Sequence, residues 1–423
     1  MVSKLVVLAV IVLGVIAVAQ LMRVYELSSK LRNKNEAEIS NRDNKLNANL
    51  MLIFMLFFFG GFIWLMLKYG WTGRGGPASV HGHELDWLLN LNFIIIIAIF
   101  FITNGLLFLF AFKYVKKPGV KAFFFPHNNR LEMIWTIVPA LVLAVIIILG
   151  LKSWNNATDQ AAPESIRVEL FSKQFDWTAR YSGTDNVLGK FDYKLTADNN
   201  ELAILTTSTL DTSIRLMESG PRGIHELENK LNDNTIILIP EERDKMMAEL
   251  LRKEKLVRLI YQMRGRHDSK LDAQAWDDFI QKDTLYLCKG KEYEFNFRSK
   301  DVIHSAYFPN FRAQMNTVPG MTTRFKFTPD KSSVDARIEK NNPKYNFVLL
   351  CNKICGGAHY KMKMFVVVLE EKEYNTWLDS KKNETFKDKY FATTTSEETD
   401  ASATDEEGVN EQEDGLAVTE EQD

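Results

Sequence analysis

Cysteine is scarce in this chain: 423 residues carry three. So few thiols close one disulfide at most, which excludes a fold stapled by several bridges. An excess of charge of either sign is missing as well. The 52 Lys and Arg residues face 54 Asp and Glu, for a formal net charge of −2. Without a global basic field, nothing argues for nucleic acid as a partner. Aromatics are missing beyond Phe391. The sequence there is acidic and rich in Ser and Thr, so residues 392–423 read as a disordered acidic tail.

Charge is also thin in the first third of the chain, where the apolar residues collect. Four apolar stretches stand there: Leu5 to Leu21, Leu50 to Leu67, Trp87 to Phe112 and Met133 to Leu151. Each is long enough, or nearly so, to cross a hydrocarbon layer, which takes about 20 residues. Lys4, the first apolar run and Ala17-Val18-Ala19 also match a cleavable secretory signal. The loops decide between the two readings. Arg23, Lys30, Arg32, Lys34, Arg42 and Lys45 follow the first stretch, and Lys113, Lys116, Lys117, Lys121 and Arg130 follow the third. Between the second and third, residues 70–84 hold only Arg74. Basic loops stay inside, so the N-terminus and everything after Leu151 are expected outside. Losing the first stretch as a signal would reverse every later crossing, so it is expected to stay. Gly60-Gly61 in the second stretch would permit close helix approach or a kink.

The chemistry concentrates in one loop, Cys351-Asn-Lys-Ile-Cys355-Gly-Gly-Ala-His359-Tyr-Lys-Met362. Strand-like runs flank it, Tyr345 to Leu350 and Met364 to Leu369. The two glycines would let the backbone fold tightly. Thiolate, imidazole and thioether are soft or borderline donors that suit copper, whereas calcium and magnesium want oxygens. A single-copper blue site uses one Cys, two His and an axial Met. Two thiolates at this spacing can instead bridge two ions. A disulfide between Cys351 and Cys355, or a structural zinc, also has to be weighed. The third cysteine, Cys288, ends a strand-like run and reads as a small buried residue.

The spacing Cys-x-x-x-Cys-x-x-x-His-x-x-Met resembles the binuclear copper A loop of subunit II of the haem–copper cytochrome c oxidases. That family takes its remaining imidazole from an Asp-Val-x-His-Ser segment, matched here by Asp301-Val-Ile-His304-Ser305, with Val318-Pro319-Gly320 following. The resemblance implies a metal site of His304, Cys351, Cys355, His359 and Met362, completed by the backbone carbonyl of Lys353. Neither a disulfide nor zinc accounts for the thioether or for His304. The implied cofactor is copper, two ions, with haem only in a partner subunit. The implied fold is a set of N-terminal transmembrane helices followed by a cupredoxin-like Greek-key β-sandwich. Residues 84–152 correspond to the family's transmembrane hairpin and residues 163–384 to its copper domain. Residues 1–70 form an additional hairpin, expected to pack against a neighbouring membrane protein.

Asn129-Arg-Leu-Glu132-Met-Ile-Trp135-Thr-Ile-Val-Pro139 resembles the family's Glu-x-Ile-Trp-Thr-x-x-Pro signature. There the Glu lies at the cytoplasmic mouth of a proton channel of subunit I. Glu132 is that candidate here, although Asn129 and Glu132 also have the spacing of a helix cap. Pro139 is expected to bend the helix. Lys173-Gln-Phe175-Asp-Trp177 resembles the segment that receives electrons from cytochrome c. The first tryptophan of that pair is replaced by Phe175, while Trp177 remains and also suits a sandwich core. A second departure is Lys353, where many relatives carry a Glu that reaches a magnesium, together with Asn316 where they carry Asp. No magnesium is expected through this residue, because an ammonium repels a cation.

His81 and His83 have no third ligand nearby, and His127, His225 and His267 read as surface residues. Residues from about 212 to 283 interrupt the sheet pattern. Pro240 to Gly265 is a helix opened by proline and acids and closed by bases, with an apolar face of Met247, Leu250, Leu251, Leu256, Leu259 and Ile260. This insertion is read as a partner-binding element or as a cover for the sandwich.

The implied function is that of the electron-accepting subunit of a respiratory oxidase in a bacterial cytoplasmic membrane, with the copper domain on the outer side. Its partners would be the membrane lipid, oxidase subunit I and other oxidase subunits, and a c-type cytochrome; a larger respiratory supercomplex would also accommodate it. Oxygen chemistry would lie in the partner chain, since none of the seven histidines stands inside an apolar stretch. The rival readings are a quinol oxidase subunit II, relatives of which have lost the ligands, and a membrane-tethered copper carrier, which has no need of Glu132.

Overall fold

A computed structural model describes residues 2–31, 40–70, 75–233 and 235–388. The acidic tail expected over 392–423 lies outside these residues, as do Arg32, Lys34 and Arg74. Two compact units are present: Met1–Gly75 with Leu88–Ile148, and Gly76–Trp87 with Leu149 onward.

The first unit is helical. Helices α1 (Val2–Leu31), α2 (Asn41–Tyr69), α3 (Val80–Lys113) and α4 (Asn129–Thr158) are each long and apolar enough to cross a membrane. Helices α2 and α4 begin ahead of their apolar stretches at polar ends that are capped. The Ser40 hydroxyl accepts from the Asp43 amide at 3.1 Å, which starts α2 nine residues before Leu50. At α4 the cap is Asn128 rather than Asn129: its side-chain oxygen accepts from the amides of Arg130 and Leu131, both at 3.1 Å. Glu132 answers by accepting from the Asn128 amide at 3.2 Å. The α4 helix runs on through Pro139. Phenylalanines join α2 to α3, with Phe59–Phe101 and Phe62–Phe100 ring centroids 4.8 Å apart. A side chain at Gly60 or Gly61 would meet no neighbour, so neither glycine serves close packing among the described residues.

The second unit is a sandwich of two five-stranded sheets. Its strands are β1 (Ile166–Lys173), β2 (Asp176–Tyr181), β3 (Phe279–Lys282), β4 (Thr284–Cys288), β5 (Tyr293–Ser299), β6 (His304–Phe308), β7 (Ala313–Thr317), β8 (Thr323–Phe327), β9 (Phe347–Cys351) and β10 (Lys363–Leu369). One sheet has the order β3-β2-β1-β5-β8 and the other β4-β10-β9-β6-β7. The expected cupredoxin-like β-sandwich behind four apolar helices is therefore present. Alternation sends Val168, Leu170, Trp177, Tyr293, Phe295 and Phe297 inward from the first sheet, against Phe308, Phe347, Leu349 and Val366 from the second. Burying each such phenylalanine is worth roughly 1.5–3 kcal/mol. The cysteine Cys288 is buried at the end of β4, as expected.

The outer face of the first sheet departs from expectation. The run from Ser165 to Leu170 suggests a strand with one wet face, yet β1 is buried on both. Residues 182–278 leave the sheet after β2, fold back over its outer side and return at β3. The insertion is thus longer than the 212–283 read from the sequence and begins earlier. It contains α5 (Thr207–Ser219), α6 (Ile224–Asn232) and α7 (Pro240–Arg266) around a core of its own, including Leu195, Leu210, Leu227, Leu250, Val257 and Ile260. Met247 and Leu251, placed on the helix's apolar face by periodicity, are exposed; Met246 and Val257 pack into that core instead. Gly265 does not end α7, which continues to Arg266. His267 is not a surface residue: its ring is buried and lies 2.6 Å from the Asp272 carboxylate.

Under the insertion lies a buried cluster of four charges. Register places Glu169 opposite Arg180, and Arg298 opposite Phe171. Glu169 accepts from both guanidiniums. Arg180 also donates to the Gly189 carbonyl at 3.0 Å and to Asp278 at 2.9 Å. The Gly189 amide donates to the same Asp278 oxygen at 3.0 Å. Gly189 lies near the start of the insertion and Asp278 at its end, so Arg180 clasps the two together. Burial raises the Asp278 carboxyl to about 7 despite Arg180, and its other oxygen has no hydrogen-bond partner among the described residues.

Candidate metal centre

The metal-type residues meet at one end of the sandwich, where β6 starts, β9 ends and β10 begins. Cys351 is the last residue of β9, paired with Ala306 of β6, and this pairing sets it beside His304. Residues 352–362 form the loop. Its neck is closed by the Cys351 amide donating to the Met362 carbonyl and the Asn352 amide to the Ser305 carbonyl, both at 3.1 Å.

Six groups converge there. The Sγ atoms of Cys351 and Cys355 are 3.8 Å apart, far beyond the ~2.05 Å of a disulfide, and both thiols are free. His304 Nδ1 lies 3.9 Å from Cys351 Sγ, and His359 Nδ1 lies 3.5 Å from Cys355 Sγ. Met362 Sδ is 3.8 Å from Cys355 Sγ, and the Lys353 carbonyl is 3.2 Å from Cys351 Sγ. The ligand atoms of His304, Cys351 and Cys355 all fall within 4.8 Å of one another. Every residue picked out as a ligand candidate in the sequence is brought to this cluster.

The donors fit a cationic occupant. His304 is fully buried, and its Nε2 donates to Asp301 at 2.8 Å, which fixes the ring with Nδ1 toward the sulfurs. Burial would raise the Asp301 carboxyl, but bonds from His304 and from the Gln174 and Val302 amides outweigh it and leave the group below its usual range. Burial also pushes the Cys355 thiol up to about 11, and the Cys351 sulfur beside it adds to the shift. A buried Cys355 thiol that resists ionising beside a second sulfur suits a site where a metal cation would favour the thiolate.

Asp301 and Gln174 are the residues whose role sequence reading missed. Gln174 donates from its amide to Asp301 at 2.7 Å and from its side chain to the Cys355 carbonyl. Asp301 stands three residues before His304, the spacing that could have marked it as the partner of that ring. The loop's tight turn depends on Gly356, whose φ is +144° and where a Cβ would strike Gln174 and Phe175. Gly357 has open space around it, so only one of the two glycines is needed. Phe175 is half-buried against that turn. Trp177 is fully buried, with its ring edge-to-face to His304 at 6.2 Å. The side chains of Lys353 and Asn316 are exposed.

The remaining candidates lie elsewhere. His81 packs on Phe325 and Phe327, and His83 is 2.8 Å from Asp330. His127 is 3.9 Å from Glu132, and His225 is 3.7 Å from Glu228. None belongs to a cluster of metal-type ligands among the described residues.

Residues 75–153 match the family described as cytochrome C oxidase subunit II, transmembrane domain. Over these helices, and over most of its length through its curated relatives, the chain is similar to cytochrome c oxidase subunit II. Among its curated relatives is the alternative cytochrome c oxidase subunit 2 of Bradyrhizobium diazoefficiens, 26% identical over 78% of this chain and 91% of that protein. Another is the cytochrome c oxidase subunit 2 of Thermostichus vulcanus, 24% identical over 71% of this chain and 76% of that one. Among solved structures, the periplasmic domain of subunit II of cytochrome oxidase from Bradyrhizobium japonicum aligns with 53% of this chain and 99% of its own. The identity is 13% and the TM-score 0.26. This subunit II relative thus joins the family's helices to a sandwich that gathers thiols, imidazoles and a thioether at one end.

Proposed function

We propose that the chain is the copper-bearing, electron-accepting subunit of a respiratory oxygen reductase in a bacterial cytoplasmic membrane, with its sandwich on the outer side. The observation that supports this most is the convergence of His304, Cys351, Cys355, His359, Met362 and the Lys353 carbonyl around two unjoined sulfurs. Bound there, two copper ions would supply a one-electron relay from a reduced c-type cytochrome toward haem and copper in subunit I, where oxygen is reduced to water with proton translocation.

The chain's own residues would do the rest. Cys351, Cys355, His304, His359, Met362 and the Lys353 carbonyl would hold the copper. Asp301 holds the tautomer and direction of His304. Trp177 fills the space behind that ring and keeps water from it. Phe175 offers the half-buried apolar contact nearest the Cys355 turn. Glu132, at the first turn of α4, would collect protons at the cytoplasmic mouth of the channel in subunit I; its bond to the Asn128 amide serves the helix cap at the same time.

The test is oxygen consumption by the complex purified through a tag on this chain. Reduced c-type cytochrome should sustain turnover and quinol should not. Turnover on quinol alone would move the chain to the quinol oxidases, and copurification of no haem protein would leave a copper carrier.

A further inference from the structure

The insertion does more than cover the sheet, because its near edge touches both loops that hold the metal end in shape. Glu201 sits on this edge, next to Leu202, whose carbonyl accepts from Arg298 of the buried cluster at 2.9 Å. Phe191, from the same edge, lies beneath the Arg298 guanidinium at 3.5 Å. Glu201 is therefore carried on a segment clasped to the sheet by buried charge. From there it accepts from Lys173 and lies 3.8 Å from the Lys300 ammonium. Those lysines immediately precede Gln174 and Asp301. Gln174 holds the Cys355 carbonyl and Asp301 holds His304. The Lys300 amide, donating to Ser172 at 2.9 Å, joins the two loops a second time.

We propose that Glu201 is a positioning residue of the metal centre, acting from the insertion on the paired loops that carry Gln174 and Asp301. Partial burial opposes its charge, yet the ammonium groups of Lys173, Lys300 and Lys282 outweigh this and keep the carboxyl below its ordinary range. The carboxylate thus stays ionised between two cations that would otherwise repel each other, and their separation sets the spacing of the loops. Any partner that moved this edge of the insertion would be felt at His304 and Cys355 without touching them. The idea deepens the copper reading and rests on it for one of two readouts only.

The test compares full-length, detergent-extracted protein with its Glu201→Gln variant. In the metal-free protein the alkylation rates of the three thiols are followed separately by mass spectrometry. Cys351 and Cys355 should react several-fold faster in the variant while Cys288, buried at the far end of β4, is unchanged. In copper-loaded protein the variant should lose metal to EDTA several-fold faster, and Lys300→Met should reproduce both changes. Glu226→Gln, which removes an exposed carboxylate paired with Lys230 on α6, should change neither. Equal rates for Cys351 and Cys355 in Glu201→Gln and the parent would overturn the proposal, as would a matching rise at Cys288, which signals general loosening. Failure of the parent to take up copper would count against the copper reading alone, because thiol reactivity is measured without metal.

Discussion

The sandwich buries two polar constellations, and they differ in how their charge is balanced. Beneath the insertion, two guanidiniums face two carboxylates, and Glu169, Arg180 and Arg298 satisfy one another and nearby backbone groups. At the metal end, two thiols, two imidazoles and a thioether converge with no cation among them. The first cluster balances its charges within the chain and fastens structure, with one Asp278 oxygen left without a partner among the described residues. The second gathers soft donors whose chemistry suits a metal ion, which marks it as the candidate functional site.

The sharpest way to break this contrast is to remove one member from each side. On the proposed reading, Cys351→Ser should abolish a two-copper centre outright: the purple absorption expected of the copper-loaded parent should be missing, and bound copper should fall to one ion per chain or none. Metal analysis with an optical spectrum checks it. Arg180→Met should instead leave Asp278 buried without an ion partner and Glu169 with Arg298 alone, costing about 3–5 kcal/mol of stability in a denaturant titration. Copper ligation would be lost in that variant only as far as the fold is lost.

The next effect is a pH dependence confined to the clasp. Asp278 titrates near 7 when folded and near its ordinary 3.8 when unfolded. Between those values the folded state binds a proton that the unfolded chain has released. Stability contributed by this group is therefore present below about 4 and lost as pH rises toward 7. Asp278→Asn should flatten that slope in metal-free protein; an unchanged slope would mean the carboxyl is ionised throughout. The smallest effect is expected at Phe175→Trp. An indole is more easily oxidised than a phenyl ring, so reduction by a c-type cytochrome should quicken a few-fold at constant copper content. Stopped-flow absorbance measures it.

The two constellations were also unequally legible. Five of the six metal-end groups fall in one loop of twelve residues, Cys351 to Met362, and His304 sits in a short segment of its own, so linear spacing exposes them. Glu169, Arg180, Asp278 and Arg298 come from four separate segments and carry no spacing at all. The register of β1 with β2 and β5 assembles Glu169, Arg180 and Arg298, and the pairing of β2 with β3 brings in Asp278. The boundary of the insertion was hidden for the same reason. Its first residues have no helical periodicity, and Glu169 gave β1 the look of a half-wet strand. His267 was misplaced because Asp272, its partner, is ordinary in sequence. Cap positions slipped by one residue at Asn128, where two adjacent asparagines are equally good candidates.

Electron paramagnetic resonance of the copper-loaded, full-length protein tests the central claim most directly. Two ions sharing one unpaired electron through Cys351 and Cys355 should give a seven-line copper hyperfine pattern at two ions per chain. A four-line pattern at one ion per chain would contradict the account.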